Sequence, residues 1–212
     1  MGVKRGTRPG RPAKEKGLYP QELLDVARIC FAKFGYDGAS LREIAAVANI
    51  DVALLNYYFG SKMELWKSVV DALSDTYAKQ LAQWKAPEDR KKDVRALLES
   101  TIEHLVRTHL KYPELGMLIS NEAVQGSDRF EYLFAKIIKP YHDLALPLIE
   151  KGMALAIIPK QDSGMYYFML VHAIAMPTAM KLLLGKFTAA AKDDKKLEKE
   201  IINSVKLNFL KA

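Results

Sequence analysis

The chain has 212 residues, half of them hydrophobic and 27% charged, with a net charge of +7. That composition excludes a chain too polar to bury a core, and the length leaves room for a small domain followed by a larger one. The charge is uneven: residues 1–16 hold Lys4, Arg5, Arg8, Arg11, Lys14 and Lys16 against Glu15 alone, which leaves the rest of the chain at only +2.

A concentrated basic arm on a near-neutral body suits phosphate binding better than general solubility. A solvated terminus without a partner is the alternative reading of residues 1–18 taken alone. After the arm, Pro20 fits the first turn of a helix, where its missing N–H costs nothing. Leu23, Ala27, Cys30, Phe31 and Phe34 recur at helical spacing and predict one apolar face, ended by Gly35. Cys30 is the sole cysteine. It reads as a small core residue, and no disulfide can form within the chain. With no apolar stretch behind the basic N-terminus, the expectation is a cytoplasmic protein.

Ser40-Leu-Arg-Glu43 has the form of a capping box, a hydroxyl followed three residues later by a carboxylate, and predicts a short helix to about Val47. Asn49 stands where a tight turn needs a residue tolerant of positive φ. Asp51 caps a second short helix to about Tyr57. Ser61-Lys-Met-Glu64 repeats the box and opens a long helix reaching about Trp84. Two helices crossing at small Ala45, with Leu41, Ile44, Ala48, Ile50 and Leu55 inward, have the pattern of a helix-turn-helix. The second helix would leave Val52, Ala53, Asn56 and Tyr57 outward, with Leu54 at its edge. Thymine methyls in a major groove would give those apolar groups a partner.

These residues resemble a known family. Phe31-Ala-Lys-Phe-Gly-Tyr-Asp-Gly-Ala-Ser40-Leu-Arg-Glu-Ile-Ala45 and Asn56-Tyr-Tyr-Phe-Gly-Ser-Lys62 look like the signature of TetR-family transcriptional regulators, over about residues 20–66. The resemblance implies an all-α homodimer, with an N-terminal helix-turn-helix domain followed by a larger helical domain for effector binding and dimerisation. The corresponding division is a basic arm at 1–18, a DNA-binding domain at 19–66 and a C-terminal domain at 67–212. It also implies DNA contacts by Ser40 and Arg42 from the first motif helix, by Val52, Ala53, Leu54, Asn56 and Tyr57 from the recognition helix, and by Tyr58 and Lys62 at phosphates. Phe59 would belong to the core, and Asn49 replaces the family's common Gly in the turn. Arg8-Pro-Gly-Arg-Pro12 resembles an AT-hook core, which lays arginines such as Arg8 and Arg11 in a narrow minor groove.

Lys85–Lys92 is polar, contains Pro87 and reads as a joint. Helices are expected beyond it at about 89–111, 113–125, 129–151, 163–184 and 193–210, with kinks or breaks at Pro140, Pro147 and Pro177. Ser163–Met180 is uncharged and borderline in length for a membrane span, but His172, Pro177 and Thr178 lie within it and no other segment is of that kind. Burial in a large interface is the better reading. Met165, Met169, Ala173, Met176 and Met180 form one stripe there, and Leu197, Ile201, Val205 and Phe209 a second. Dimerisation is expected through 163–184 and 193–210.

His104, Met117, Asn121, Phe134, Tyr141, His142, Tyr167 and His172 are the candidates for lining an effector cavity, apolar with a few polar contacts. None of His104, His109, His142 and His172 forms an i,i+4 pair, and no P-loop, GxGxxG or GxSxG occurs, so no catalytic, metal or cofactor site is expected. The expected partners are palindromic double-stranded operator DNA, a small partly apolar effector and a second copy of the chain. Two other readings stay open: a constitutive or architectural DNA binder without an effector, and a helical enzyme with an incidental basic arm.

Overall fold

The computed structural model describes residues 20–83 and 93–211. Every regular element among them is helical, and no helix among them is long and apolar enough to cross a membrane. The arm at 1–18, with Arg8 and Arg11, and the expected joint at 85–92 lie outside the described residues.

Helix α1 (Pro20–Gly38) buries Leu23, Ala27, Cys30 and Phe31. Phe34 departs from the expected apolar face and is half exposed. Gly35 takes φ 70° and kinks the chain, so Tyr36 rather than Phe34 stacks on Phe31, with ring centroids 6.0 Å apart. Helix α2 (Leu41–Val47) starts at a complete capping box: Glu43 N–H donates to the Ser40 hydroxyl at 3.1 Å, and Ser40 N–H to the Glu43 carboxylate at 2.8 Å. Asn49 turns the chain at φ 53°, and Asp51 caps α3 (Val52–Phe59) by accepting from Ala53 N–H at 2.7 Å. Helix α4 (Lys62–Gln83) opens at the second box, in which Ser61 N–H donates to Glu64 at 2.7 Å.

The rest of the chain forms α5 (Val94–Lys111), α6 (Glu114–Gln125), α7 (Asp128–Leu133), a π-helical turn (Phe134–Ile138), α8 (Lys139–Ala154), α9 (Ser163–Ala179), α10 (Lys181–Leu184), a 3-10 turn (Ala189–Lys192) and α11 (Asp194–Phe209). Pro140 does not break its helix as expected. The π turn stands just before it, and the Lys136 carbonyl, which residue 140 would serve in an α-helix, accepts from the Ser74 hydroxyl of α4 at 3.0 Å. Proline's lost bond is thus replaced from another helix. Pro177 falls in the last turn of α9, and the expected 163–184 helix divides at Met180.

The buried residues form two clusters. One joins α1–α4 to Leu115 and Leu118 of α6, Leu133 of α7 and Ile137 of the π turn. The other joins α5, α8, α9 and α11. The expected boundary at residue 66 falls inside α4, where Trp66, Val69, Val70, Leu73 and Tyr77 pack into the same core as the helix-turn-helix. The second expected dimer stripe is also corrected. Leu197, Ile201 and Val205 are buried within the chain, because α11 turns that face onto α5 and α9.

Candidate nucleic-acid interface

On α3 only Leu55 is fully buried, and it anchors the helix to the core. Ala53, Asn56 and Tyr57 are exposed, and Tyr57, at 82% exposure, is an aromatic ring standing in water. Tyr58 is less exposed, and its ring lies edge-on to Tyr57 with centroids 5.5 Å apart. Val52 was expected outward but packs partly against the domain core, and Leu54 is half-buried. Phe59 packs against the core as expected.

Ser40 and Arg42 are exposed at the start of α2. Lys62 opens α4, where free backbone N–H groups and the positive helix end favour an anion. Its ammonium lies 4.3 Å from the centre of the Tyr36 ring, a cation–π contact that sequence reasoning missed because Tyr36 reads only as part of a connection. Glu43 and Glu64 both sit well below the ordinary carboxylate range, because serine hydroxyl and backbone hydrogen bonds in the two boxes favour their charged forms.

Among the described residues, the contacts of the eight effector candidates are spread over several elements. Asn121 donates its side-chain amide to the Ala32 carbonyl at 3.1 Å, tying α6 to α1. Phe134 is exposed. His172 donates Nδ1–H to the Phe168 carbonyl at 2.8 Å and rests against that ring. His104 and Met117 are half-buried, and burial lowers the His104 pKa. Two smaller groups do form. His142 meets Tyr167 edge-on at 5.0 Å, while Tyr141 meets Tyr77 of α4 at 5.8 Å, and Tyr77 meets Tyr112 at 5.7 Å. Burial pushes the Tyr141 and Tyr167 hydroxyls up to about 12. Tyr77 and Tyr112 carry no local sequence signal, since only folding brings them beside Tyr141.

A groove of about 510 Å³ runs between α9 and α11, lined among others by Ala173, Pro177, Ile201 and Phe209. None of the eight candidates lines it. Beside it α9 exposes Met165, Phe168 and Met169, and Met180 is exposed just past its end.

A helix-turn-helix with two complete capping boxes, a positive-φ Asn turn and an exposed tyrosine on its second helix is now in view. The profile of bacterial regulatory proteins of the tetR family matches residues 23–69. Residues 23–69 thus carry a DNA-binding domain of the tetR type. It is 24% identical over 139 residues to the HTH-type transcriptional dual regulator CecR of Shigella flexneri, a match covering 61% of this chain and 62% of CecR. It is 35% identical over 131 residues to the HTH-type regulator YttP of Bacillus subtilis strain 168, covering 62% of this chain and 63% of YttP. The chain thus spans less than two thirds of these curated relatives. Among solved structures, the ketosteroid transcriptional regulator KstR2 of Mycobacterium tuberculosis superposes with a TM-score of 0.64 at 15% identity, covering 92% of this chain and 98% of that one. That likeness establishes the shared fold. These relatives are named as transcription regulators, and the helical-enzyme reading has no counterpart among them.

Proposed function

We propose that the chain is a homodimeric, sequence-specific DNA-binding transcription regulator, released from a palindromic operator by a small, partly apolar effector. The observation that carries the DNA-binding part is the exposed face of α3: Ala53, Asn56 and Tyr57 stand clear of a helix held to the core by Leu55. A major groove offers methyl groups and base edges to that face, and phosphates to Ser40, Arg42, Tyr58 and Lys62. Val52 and Leu54, partly withdrawn, set the tilt of the helix more than they read bases. Arg8 and Arg11 would add minor-groove contacts.

The dimer reading rests on the exposed methionine and phenylalanine face of α9 and the groove beside α11. A second copy related by a two-fold axis would bury both. Selection of bound genomic fragments by the purified chain tests the reading. Inverted half-sites about one helical turn apart are expected, and loss of that selection in Tyr57→Ala is the control. Failure to retain any fragment would overturn it.

A constitutive binder without an effector stays as a second reading, favoured by the scatter of the eight candidate residues. A thermal-shift screen of small apolar ligands separates the two: a stabilising ligand that also weakens DNA binding supports release.

A further inference from the structure

The ring of Tyr36 receives a second cation besides Lys62. The Arg129 guanidinium, from α7 in the C-terminal domain, lies 4.0 Å from the same ring centre. Arg129 is itself held firmly. Its Nε donates to Glu122 at 2.9 Å and its Nη2 to Gln125 at 2.7 Å, both on α6, and its side chain is only 12% exposed. Glu122 is fully buried and also accepts from the Ser127 hydroxyl at 3.3 Å. The α6–α7 corner is bound to α1 as well, through Asn121 on the Ala32 carbonyl and the Arg28–Glu114 ion pair.

A buried ion pair recovers its desolvation cost only in part, so stability alone is a weak account of Glu122–Arg129. What the pair does geometrically is fix a cation against Tyr36. The Arg129 and Lys62 side chains thus share one aromatic ring, each within about 4.3 Å of its centre. The Arg129 guanidinium packs on the Tyr36 ring and fixes its orientation, and the fixed ring in turn holds the Lys62 ammonium in place.

We infer that Glu122, Arg129 and Tyr36 form a strut that positions Lys62 for a DNA phosphate and carries changes in the α6–α7 corner to the DNA-binding surface. The inference rests on the reading of Lys62 as a phosphate contact. Arg129 is a positioning residue: its Nε and Nη2 are bonded to α6 and its side chain is only 12% exposed, so it acts on DNA through Lys62. A shift of the α6–α7 corner withdraws Arg129 from the ring and loosens Lys62 without unfolding either domain.

The test has two arms. In the first, binding of a mixed-sequence DNA duplex at low salt is measured for Arg129→Gln, Lys62→Ala and the double variant. Arg129→Gln is expected to weaken binding about 3- to 10-fold in the parent and to have no effect once Lys62 is gone. An equal loss in both backgrounds would overturn the strut. The second arm needs no DNA. The Lys62 side-chain protons are expected to show an upfield ring-current shift by NMR, reduced in Arg129→Gln, abolished in Tyr36→Leu and kept in Tyr36→Phe and Arg129→Lys. A Lys62 signal indifferent to Arg129→Gln also overturns the inference. If Lys62→Ala leaves affinity and salt dependence unchanged while the NMR pattern holds, the phosphate role of Lys62 fails and the contact between domains stands. Arg129→Lys and Tyr36→Phe keep both arms usable should Arg129→Gln not fold.

Discussion

Lys62 is half-buried against Tyr36 at a helix N-terminus, so its charge is placed before any partner arrives. Replacing it with alanine should weaken all duplexes alike and lower the salt slope by about one phosphate contact, read from affinities over a salt series. Asn56→Ala should instead change which sequences are preferred, because an amide at a base edge discriminates and a lysine at a phosphate does not. Ser40→Ala removes one half of a capping box and should cost about 1 kcal/mol in denaturant unfolding. The two capping boxes were readable from sequence because each is local: the serine and glutamate that meet are three residues apart. The outward position of Val52 was misjudged, since the depth to which a short helix sinks depends on the elements beneath it.

At the scale of elements, the connection between the N-terminal and C-terminal parts is made by packing. Helix α4 belongs to both, and α6 lies against α1 with Leu115 and Leu118 buried. Leu118→Ala should therefore lower global stability by about 2–5 kcal/mol, in a single unfolding transition shared by both parts. Helix α5 brings a pH dependence. His109 is buried and donates Nδ1–H to the Leu105 carbonyl at 2.9 Å, and burial lowers its pKa, as it does that of His104. The unfolded chain then binds protons more readily than the folded one. Stability is fully present above the ordinary histidine value of 6.5 and is lost as pH falls toward the lower folded value. Melting temperature should drop between about pH 7.5 and about pH 5.5, and less so in His109→Gln. The π turn before Pro140 was not foreseen: proline announces a missing bond, but not that Ser74 would serve the Lys136 carbonyl left over.

For the whole molecule, the exposed face of α9 is the feature a solitary chain explains least. Met169 is 51% exposed beside Met165, Phe168 and Met180, on a helix with no charged side chain. A glutamate at Met169 should leave the fold intact, since the residue touches solvent in the single chain, but give a monomer in sedimentation and abolish binding to an inverted repeat. A dimer that survives Met169→Glu would move the interface elsewhere. The two expected stripes met different fates here. Of the first, Met165, Met169 and Met180 stay outward while Ala173 packs on the core and Met176 lies against Gly116 of α6, whereas Leu197, Ile201 and Val205 of α11 fill the core of their own chain.

Helical periodicity, the two serine–glutamate boxes, the asparagine turn and the motif around Phe31–Lys62 determined the fold class and the helix-turn-helix, because each depends on residues close together along the chain. Which apolar stripe faces the core and which a partner, whether aromatic residues gather around a ligand, and which distant cation meets Tyr36 were decided by tertiary packing alone. The physical reason is one of range. A cap or a turn is satisfied within a few residues, while burial and cation–π contact reward whatever the folded chain brings near, and amphipathic spacing is the same whether a face meets its own core or a second copy.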